Sequence, residues 1–467
     1  MMTNWQPLLT REKAPLYREI ADALAGDIAT GALPAGSRLP THRDLAWRLK
    51  VTVGTVSRAY SEAERRGLIG GEIGRGTFVL PTHGDWPAPA AAADQDGLVD
   101  LSVNYAITGC EERLLADGIG DLSRRRDLSR FLHYQPHAGT DEDRTAGAEW
   151  LRRTGLHDAK ADRTIVTNGG QHGIAVLVSA LTRPGDAIAV EQLSYPGLKA
   201  VAHQSGIHLV GVVTDEAGLR PDALDAACRA RTLRGLYIMP TLHNPTTITM
   251  PLERRREIAA VCREHDLAVI EDDVYGFLFA QPLPALVTLL PERGFYISST
   301  SKAFAPGLRL GYIHVPPRDI ERVTGALRAS TYMAPPLMAA IASRWIGDGS
   351  ADRMAAEKRQ LAAARYPIVT GILGADGLGT TLMADPASLH CWLSLPPQWR
   401  AEEFAASAQR AGVGVTPAAA FAVGPAAATP EAIRLCLGTT ATPLLEQALR
   451  TLADLLAATP GPYLSVV

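Results

Sequence analysis

The chain is 467 residues long, 46% hydrophobic and 20% charged, with a formal net charge of −3 at pH 7; that exceeds one compact domain and allows two or three cores. Its five cysteines, Cys110, Cys228, Cys262, Cys391 and Cys436, are scattered and lack any CxxC spacing. Neither a zinc site nor a disulfide framework is indicated, and a reducing, cytoplasmic setting is expected. No run approaches the ~18 apolar residues of a membrane span, and Met1–Arg11 has no apolar stretch resembling a secretory signal. Residues 1–80 carry eleven Lys and Arg against eight Asp and Glu, the remainder 35 against 41. So small a basic excess permits contact with nucleic acid without arguing for it.

In chain order, Leu16, Ile20, Leu24 and Ile28 recur every fourth position and predict an amphipathic helix ending near Gly31. Thr41 is placed to cap a second, short helix with Leu45 and Leu49 on its inner face. Thr52 is placed to cap a third, which turns Val56, Tyr60 and Ala63 inward. Leu68–Ile69, the glycines of GGEIGRG and Thr77–Leu80 then predict two short strands and a tight turn. Three helices followed by a hairpin is the order of a winged helix-turn-helix. From Pro81 to Gly97 the chain reads PTHGDWPAPAAAADQDG, seventeen residues without apolar periodicity, expected to be a semi-extended linker or else a loosely packed arm of the body. Beyond it, apolar runs at Asp186–Glu191, Gly235–Met239, Leu267–Glu271, Gly294–Ser299 and Leu310–Val315 alternate with helical stretches, predicting an α/β domain with a largely parallel sheet. From Pro335 onward, long helical patterns precede strands at Cys391–Leu395 and Ile433–Leu437, a smaller α/β subdomain. The domains expected are thus 1–80, the linker 81–97, a large domain 98–334 and a small one 335–467.

The stretch SRLPTHRDLAWRLKVTVGTVSRAYSEAERRGLIGGEIGRGTFV resembles the GntR family of DNA-binding domains, a resemblance running from Leu16 to Leu80. It implies that the start of the third helix enters the major groove of a double-stranded operator, with Thr52, Gly54, Thr55 and Ser57 approaching bases or phosphates. Arg43 would contact the groove or a phosphate from the front of the second helix. Arg75, between Gly74 and Gly76 at the wing tip, would enter the minor groove. Many family members have Arg directly after Thr52, where this chain has Val53, so base specificity does not carry over.

The body offers the parts that pyridoxal phosphate chemistry needs: a lysine to form an imine, a carboxylate for the ring nitrogen, phosphate donors and a stacking aromatic. Only six lysines occur, and Lys302 is the sole one between Lys199 and Lys358. It lies at the end of a predicted strand in SSTSKAFAPGLRLGY. An ordinary lysine, with a pKa of ~10.4, is a poor nucleophile at neutral pH, so the site must desolvate it or surround it with cations such as Arg309.

Residues from Asp100 to Leu455 resemble the fold-type-I aminotransferases, whose S-x-S-K-x6-R lysine motif is matched by Ser299, Ser301, Lys302 and Arg309. With a GntR module in front, the chain resembles the MocR subfamily. The resemblance implies that Ser299, Arg309, Gly170 and Gln171 hold the phosphate, the last two opening a helix, Gly173–Leu181. Asp272 of VIEDDVYGF would pair with the ring nitrogen; Asp273 is the rival, but D-x-x-Y spacing to Tyr275 selects Asp272. Tyr275 and Asn244 would bond the ring's phenolic oxygen, Tyr195 would stack on the ring, and Arg434 would grip the carboxylate of an amino acid. Tyr134 would reach the phosphate of a partner subunit, which implies a homodimer. His133, His137, His172 and His243 show no metal spacing, and no metal is expected. Two functions follow: a transcription regulator whose body senses an amino acid, an amine or pyridoxal phosphate, and an active aminotransferase, for a full or half reaction, with an appended DNA-binding domain.

Overall fold

The computed structural model describes residues 5–7, 9, 15–29, 33, 37–65, 68–72, 76–79, 98–104, 110–375, 377–424 and 429–458. The whole predicted linker, 81–97, and Arg75 lie outside them. The chain divides into two compact units, Met1–Ala91 and Ala92–Val467.

In the first unit the helices are Leu16–Ala29, His42–Leu49 and Val53–Arg65, and Ile69–Glu72 pairs antiparallel with Gly76–Val79. The caps are those the sequence predicts. Thr41 accepts from the Asp44 amide, and Thr52 Oγ1 accepts from the Thr55 amide at 3.1 Å, so each hydroxyl satisfies an N–H that the first helical turn leaves unpaired. Ile20, Leu24, Ile28, Leu45, Leu49, Val56, Tyr60 and Ala63 are all buried, in one cluster with Ile69 and Val79. At about 1.5–3 kcal/mol for each large aliphatic side chain, this cluster is the main force closing three short helices and the hairpin on one another.

The second unit is built on a seven-stranded sheet. Its strands lie in the order Thr164–Thr167, Gly311–His314, Gly294–Ser299, Ala268–Asp272, Gly235–Ile238, Ala187–Glu191 and His208–Val212. All run parallel except Gly311–His314, which is antiparallel to both neighbours. Five of the seven were legible in the sequence; Thr164–Thr167 and His208–Val212 were not. Residues Ala187–Glu191, Gly235–Ile238 and Gly294–Ser299 are buried at every position, as expected of strands covered on both faces. The parallel strands bring Thr167, Glu191, Asp272 and Ser299 to the carboxyl edge of the sheet, where α/β folds form their ligand crevices. A second sheet, ordered Thr381–Ala384, His390–Ser394, Ala432–Cys436 and Thr416–Pro417, packs on the helices Ser350–Leu373 and Thr442–Ala457. Val99–Asp100, grouped with the large domain in the sequence reading, pairs with Val413–Gly414, and Leu101 is buried in this smaller core.

Candidate cofactor site and candidate DNA interface

The helix at the carboxyl edge spans Gly170–Leu181 and is capped by Gly169. It therefore starts three residues before the position expected from the sequence. Gly169 has φ +86°, a conformation that glycine adopts without strain. A Cβ there would stand 3.0 Å from Arg309 Nη2, and one on Gly170 would stand 3.2 Å from Ser299 Cβ. The two glycines thus let Ser299 and the exposed Arg309 approach a helix start whose first N–H groups have no intrahelical partner. Gln171 belongs to the same turn. Its Nε2 donates to the Gly197 carbonyl at 2.8 Å, while its buried Oε1 has no partner among the described residues.

Lys302 follows the strand Gly294–Ser299 in the short helix Thr300–Ala303. Its Nζ donates to the backbone carbonyl of Asn104. Burial lowers its pKa to about 8, assisted by Arg434, Arg309 and Lys358 against an opposing influence of Cys436. Lys358, wholly buried, donates to the carbonyls of Lys302 and Phe304 at 3.3 and 2.8 Å and anchors this turn.

The two neighbouring carboxylates differ in what they leave free. Asp273 accepts from the Tyr275 and Gly276 amides through Oδ1 and from Tyr296 Oη through Oδ2. Asp272 accepts from Tyr237 Oη at 2.5 Å through Oδ2, but its buried Oδ1 has no partner among the described residues. Burial raises the Asp272 carboxyl to about 7; Asp273 also raises it, whereas the Tyr237 bond and Lys302 lower it. An unused buried acceptor costs about 1–3 kcal/mol, a cost that a ring N–H would remove.

On the other side, Arg434 donates through Nη1 to Asn244 Oδ1 at 2.9 Å and through Nη2 to the Ser102 carbonyl at 2.5 Å. Its guanidinium lies 4.9 Å from the Phe421 ring centroid, and its buried Nε has no partner among the described residues. Tyr275 is buried, and its Oη accepts from Asn104 Nδ2 at 2.9 Å. Tyr195 caps the helix Pro196–Ser205. Its hydroxyl is pushed up to about 12 by burial and by Asp272. Lys302, Asp272, Tyr275, Tyr195, Asn244 and Arg434 thus form one neighbourhood, beside the cradle of Gly170, Gln171, Ser299 and Arg309. Tyr134 is not part of it within the chain: it is 79% exposed and rests against Tyr332, with ring centroids 4.7 Å apart. His243 bonds Thr246 and the Leu193 carbonyl, and His172 bonds the Asn168 amide and Ser330; both serve the fold. Three groups escaped the sequence reading, namely Asn104, Tyr237 and His390. No local pattern marks any of the three.

In the first unit, Arg43, Thr52, Val53 and Gly54 are exposed, and Thr55 and Ser57 are half-buried. All three of these hydroxyls are already engaged. Thr52 Oγ1 lies 2.9 Å from Thr55 Oγ1, and Ser57 Oγ lies 3.2 Å from His42 Nδ1. Arg43, Val53 and Gly54 are therefore the more open of these positions, and Gly54 leaves room for close approach of a backbone.

Together these features define a two-module chain, a winged helix-turn-helix and a fold-type-I aminotransferase body with an assembled crevice. Residues 16–79 match the bacterial regulatory proteins of the gntR family, and residues 97–452 match aminotransferase class I and II. An uncharacterized HTH-type transcriptional regulator of Bacillus subtilis, YdeF, is 31% identical over 435 residues, 90% of each chain. The HTH-type pyridoxine biosynthesis transcriptional regulator PdxR of Corynebacterium glutamicum is 27% identical, covering 82% of this chain and 84% of its own. Among solved structures, LysN of Thermus thermophilus, an alpha-aminoadipate aminotransferase complexed with N-(5'-phosphopyridoxyl)-L-leucine, superposes with a TM-score of 0.71 at 22% identity, over 77% of this chain and 92% of its own. The chain belongs to the MocR-type GntR family of transcription regulators, in which a helix-turn-helix precedes an aminotransferase class I and II domain.

Proposed function

We propose that the body holds pyridoxal phosphate on Lys302 and that an amino acid, an amine or the cofactor itself sets the affinity of the N-terminal module for its operator. One observation carries this reading: a desolvated lysine, a buried carboxylate with a free oxygen and a helix-start anion cradle meet on one sheet edge of a chain that also bears a GntR module. The donor set suits the group. Ser299, Arg309 and the amides of Gly170 and Gln171 would hold the phosphate, Asp272 Oδ1 would accept the ring N–H, Tyr195 would cover a ring face, and Asn244 and Tyr275 would serve the ring oxygen. When bound, pyridoxal phosphate supplies an electrophilic carbon that primary amines attack. Arg434 would take a ligand carboxylate.

The structure suggests how occupancy is reported. Lys302 and Arg434 both donate to carbonyls of one segment, Asn104 and Ser102, which follows the Pro/Ala-rich stretch 81–97 in sequence. A cofactor on Lys302 and a carboxylate on Arg434 take both cations away from that segment. A ligand shifts DNA affinity only to the extent that it binds the two resulting states differently. In the same reading Arg43, Thr52, Gly54, Thr55, Ser57 and Arg75 face DNA, and the protein is a cytoplasmic homodimer in which Tyr134 serves the second copy. The exposed apolar side chains Leu128, Leu132, Tyr134 and Tyr332 support an interface there. Anisotropy of a labelled operator, measured with and without pyridoxal phosphate and candidate amines, tests the proposal. Unchanged affinity for a mapped operator under every ligand overturns it.

The second reading, a working aminotransferase, is favoured by the same set of Lys302, Asp272, Tyr275, Asn244, Arg309 and Arg434, which leaves no catalytic position empty. Steady-state turnover with an amino donor and a 2-oxo acid decides. A regulator stops at binding or a half reaction, whereas an enzyme cycles.

A further inference from the structure

Tyr275 lies under a hydrogen-bond relay with a defined direction. His390 is 1% exposed, and its Nε2 lies 3.1 Å from the carbonyl oxygen of His243. A carbonyl only accepts, so Nε2 carries the hydrogen. Burial, reinforced by the Arg434 cation, lowers the pKa of the ring to about 3 and keeps it neutral, which leaves Nδ1 as an acceptor. Two donors face Nδ1: Asn104 Nδ2 at 3.3 Å and Ser388 Oγ at 3.1 Å. The Ser388 hydroxyl has another acceptor in the His390 carbonyl at 2.8 Å. The Asn104 amide nitrogen therefore faces His390 and spends its second hydrogen on Tyr275 Oη at 2.9 Å. An oxygen that accepts from Asn104 keeps its own hydrogen for a different partner.

We propose that His390 and Asn104 are positioning residues that fix the direction of the Tyr275 hydroxyl, making it a donor toward the cofactor rather than toward Asn104. The inference rests on the cofactor reading above and concerns what that reading leaves open, namely which way the tyrosine hydrogen points. Without the His390 acceptor the Asn104 amide is free to turn its oxygen to Tyr275 and draw the hydrogen away. A donor at the ring oxygen stabilises the deprotonated form of the lysine-bound cofactor and lowers the pH at which it loses its proton. The charged and titratable groups around Lys302, Tyr275 and His390 are Asp272, Arg309, Lys358, Arg434, Cys436, Tyr195 and His243, and the substitutions below leave all of them in place.

The test is a pH titration of the visible absorbance of the full-length protein loaded with pyridoxal phosphate. His390→Leu raises the midpoint by about one pH unit, the size of one hydrogen bond to a charged form. Tyr275→Phe raises it similarly, and the double variant shows no further rise, because both changes remove one interaction. His390→Gln, which restores an acceptor, returns the midpoint toward the native value. Asn104→Asp provides an independent cycle should His390→Leu fail to fold: it presents only acceptors to Tyr275, and its added charge is common to both arms when paired with Tyr275→Phe. An unchanged midpoint in His390→Leu, or equal rises with and without the Tyr275 hydroxyl in either cycle, overturns the relay. Absence of any absorbance that Lys302→Ala removes overturns the cofactor reading itself.

Discussion

Asp272→Asn tests the assignment of the ring-nitrogen carboxylate without reference to activity. In the folded protein burial raises Asp272 from an ordinary 3.8 to about 7. Between those values the folded state binds more protons than the unfolded one, so stability is complete at low pH and falls as pH rises through the window. With these two pKa values the carboxyl removes roughly 2 kcal/mol of stability at pH 5 and roughly 4 at pH 8, a difference of about 2–3 kcal/mol. Glu191 and Glu271, raised to about 8 and about 7 chiefly by burial, add losses in the same direction; these persist in the variant except for the smaller part of the Glu191 shift that the Asp272 charge supplies. Asparagine still accepts from Tyr237 and does not ionise. Urea denaturation of the cofactor-free protein at the two pH values, followed by near-ultraviolet circular dichroism of the body, gives the comparison. The wild type loses about 2–3 kcal/mol more than Asp272→Asn across the interval, and at pH 8 the variant is the more stable of the two. Saturating pyridoxal phosphate stabilises the wild type more than the variant, because only the carboxylate gains an ionic partner in the ring N–H. Equal pH slopes in wild type and variant would refute the reasoning.

Other outcomes follow from the same geometry. The rate at which cofactor-free protein captures pyridoxal phosphate, followed by stopped-flow absorbance, rises with pH around a midpoint near the Lys302 value of about 8, and Lys302→Ala abolishes the signal; a midpoint near that of free lysine contradicts the desolvation argument. Arg434→Ala removes the response of operator affinity to α-amino acids and keeps the lysine-bound absorbance; loss of that absorbance would show that the arginine holds the cofactor site together instead. Arg43→Ala weakens operator binding and lowers the slope of log K against log salt by about one, as expected for one lost phosphate contact, in anisotropy titrations over a salt series; an unchanged slope removes Arg43 from the interface.

Much of this was legible because its physics is local. Thr41 and Thr52 cap the helices that their positions predict, since a cap is decided within one turn. The fourfold spacing of Leu16, Ile20, Leu24 and Ile28 required a buried stripe whatever packs against it. The lysine motif could be read because Ser299, Lys302 and Arg309 span one strand end and the turn after it. The start of the helix at Gly170 was misplaced by three residues, because glycines are poor helix formers in general. Here Gly169 at positive φ caps the helix and Gly170 opens it against Ser299. Thr164–Thr167 and His208–Val212 escaped notice as short strands whose pairing is supplied by distant partners.

By itself the amino-acid sequence determined the two modules and the strands of continuous apolar residues, and it singled out Lys302 as the candidate lysine, because caps, periodicity and motif spacing act over a few residues. Only the tertiary structure decided how the crevice is wired. Tyr237 reaches Asp272 from 35 positions away, Asn104 meets Tyr275 across 171 and His390 across 286, and Arg434 meets Ser102 across 332. Such contacts are created when sheet and subdomain pack together. The burial that shifts Lys302 and Asp272 toward neutrality comes from that packing, so neither their pKa values nor the direction of the hydrogen bonds around them is written in any local stretch of the chain.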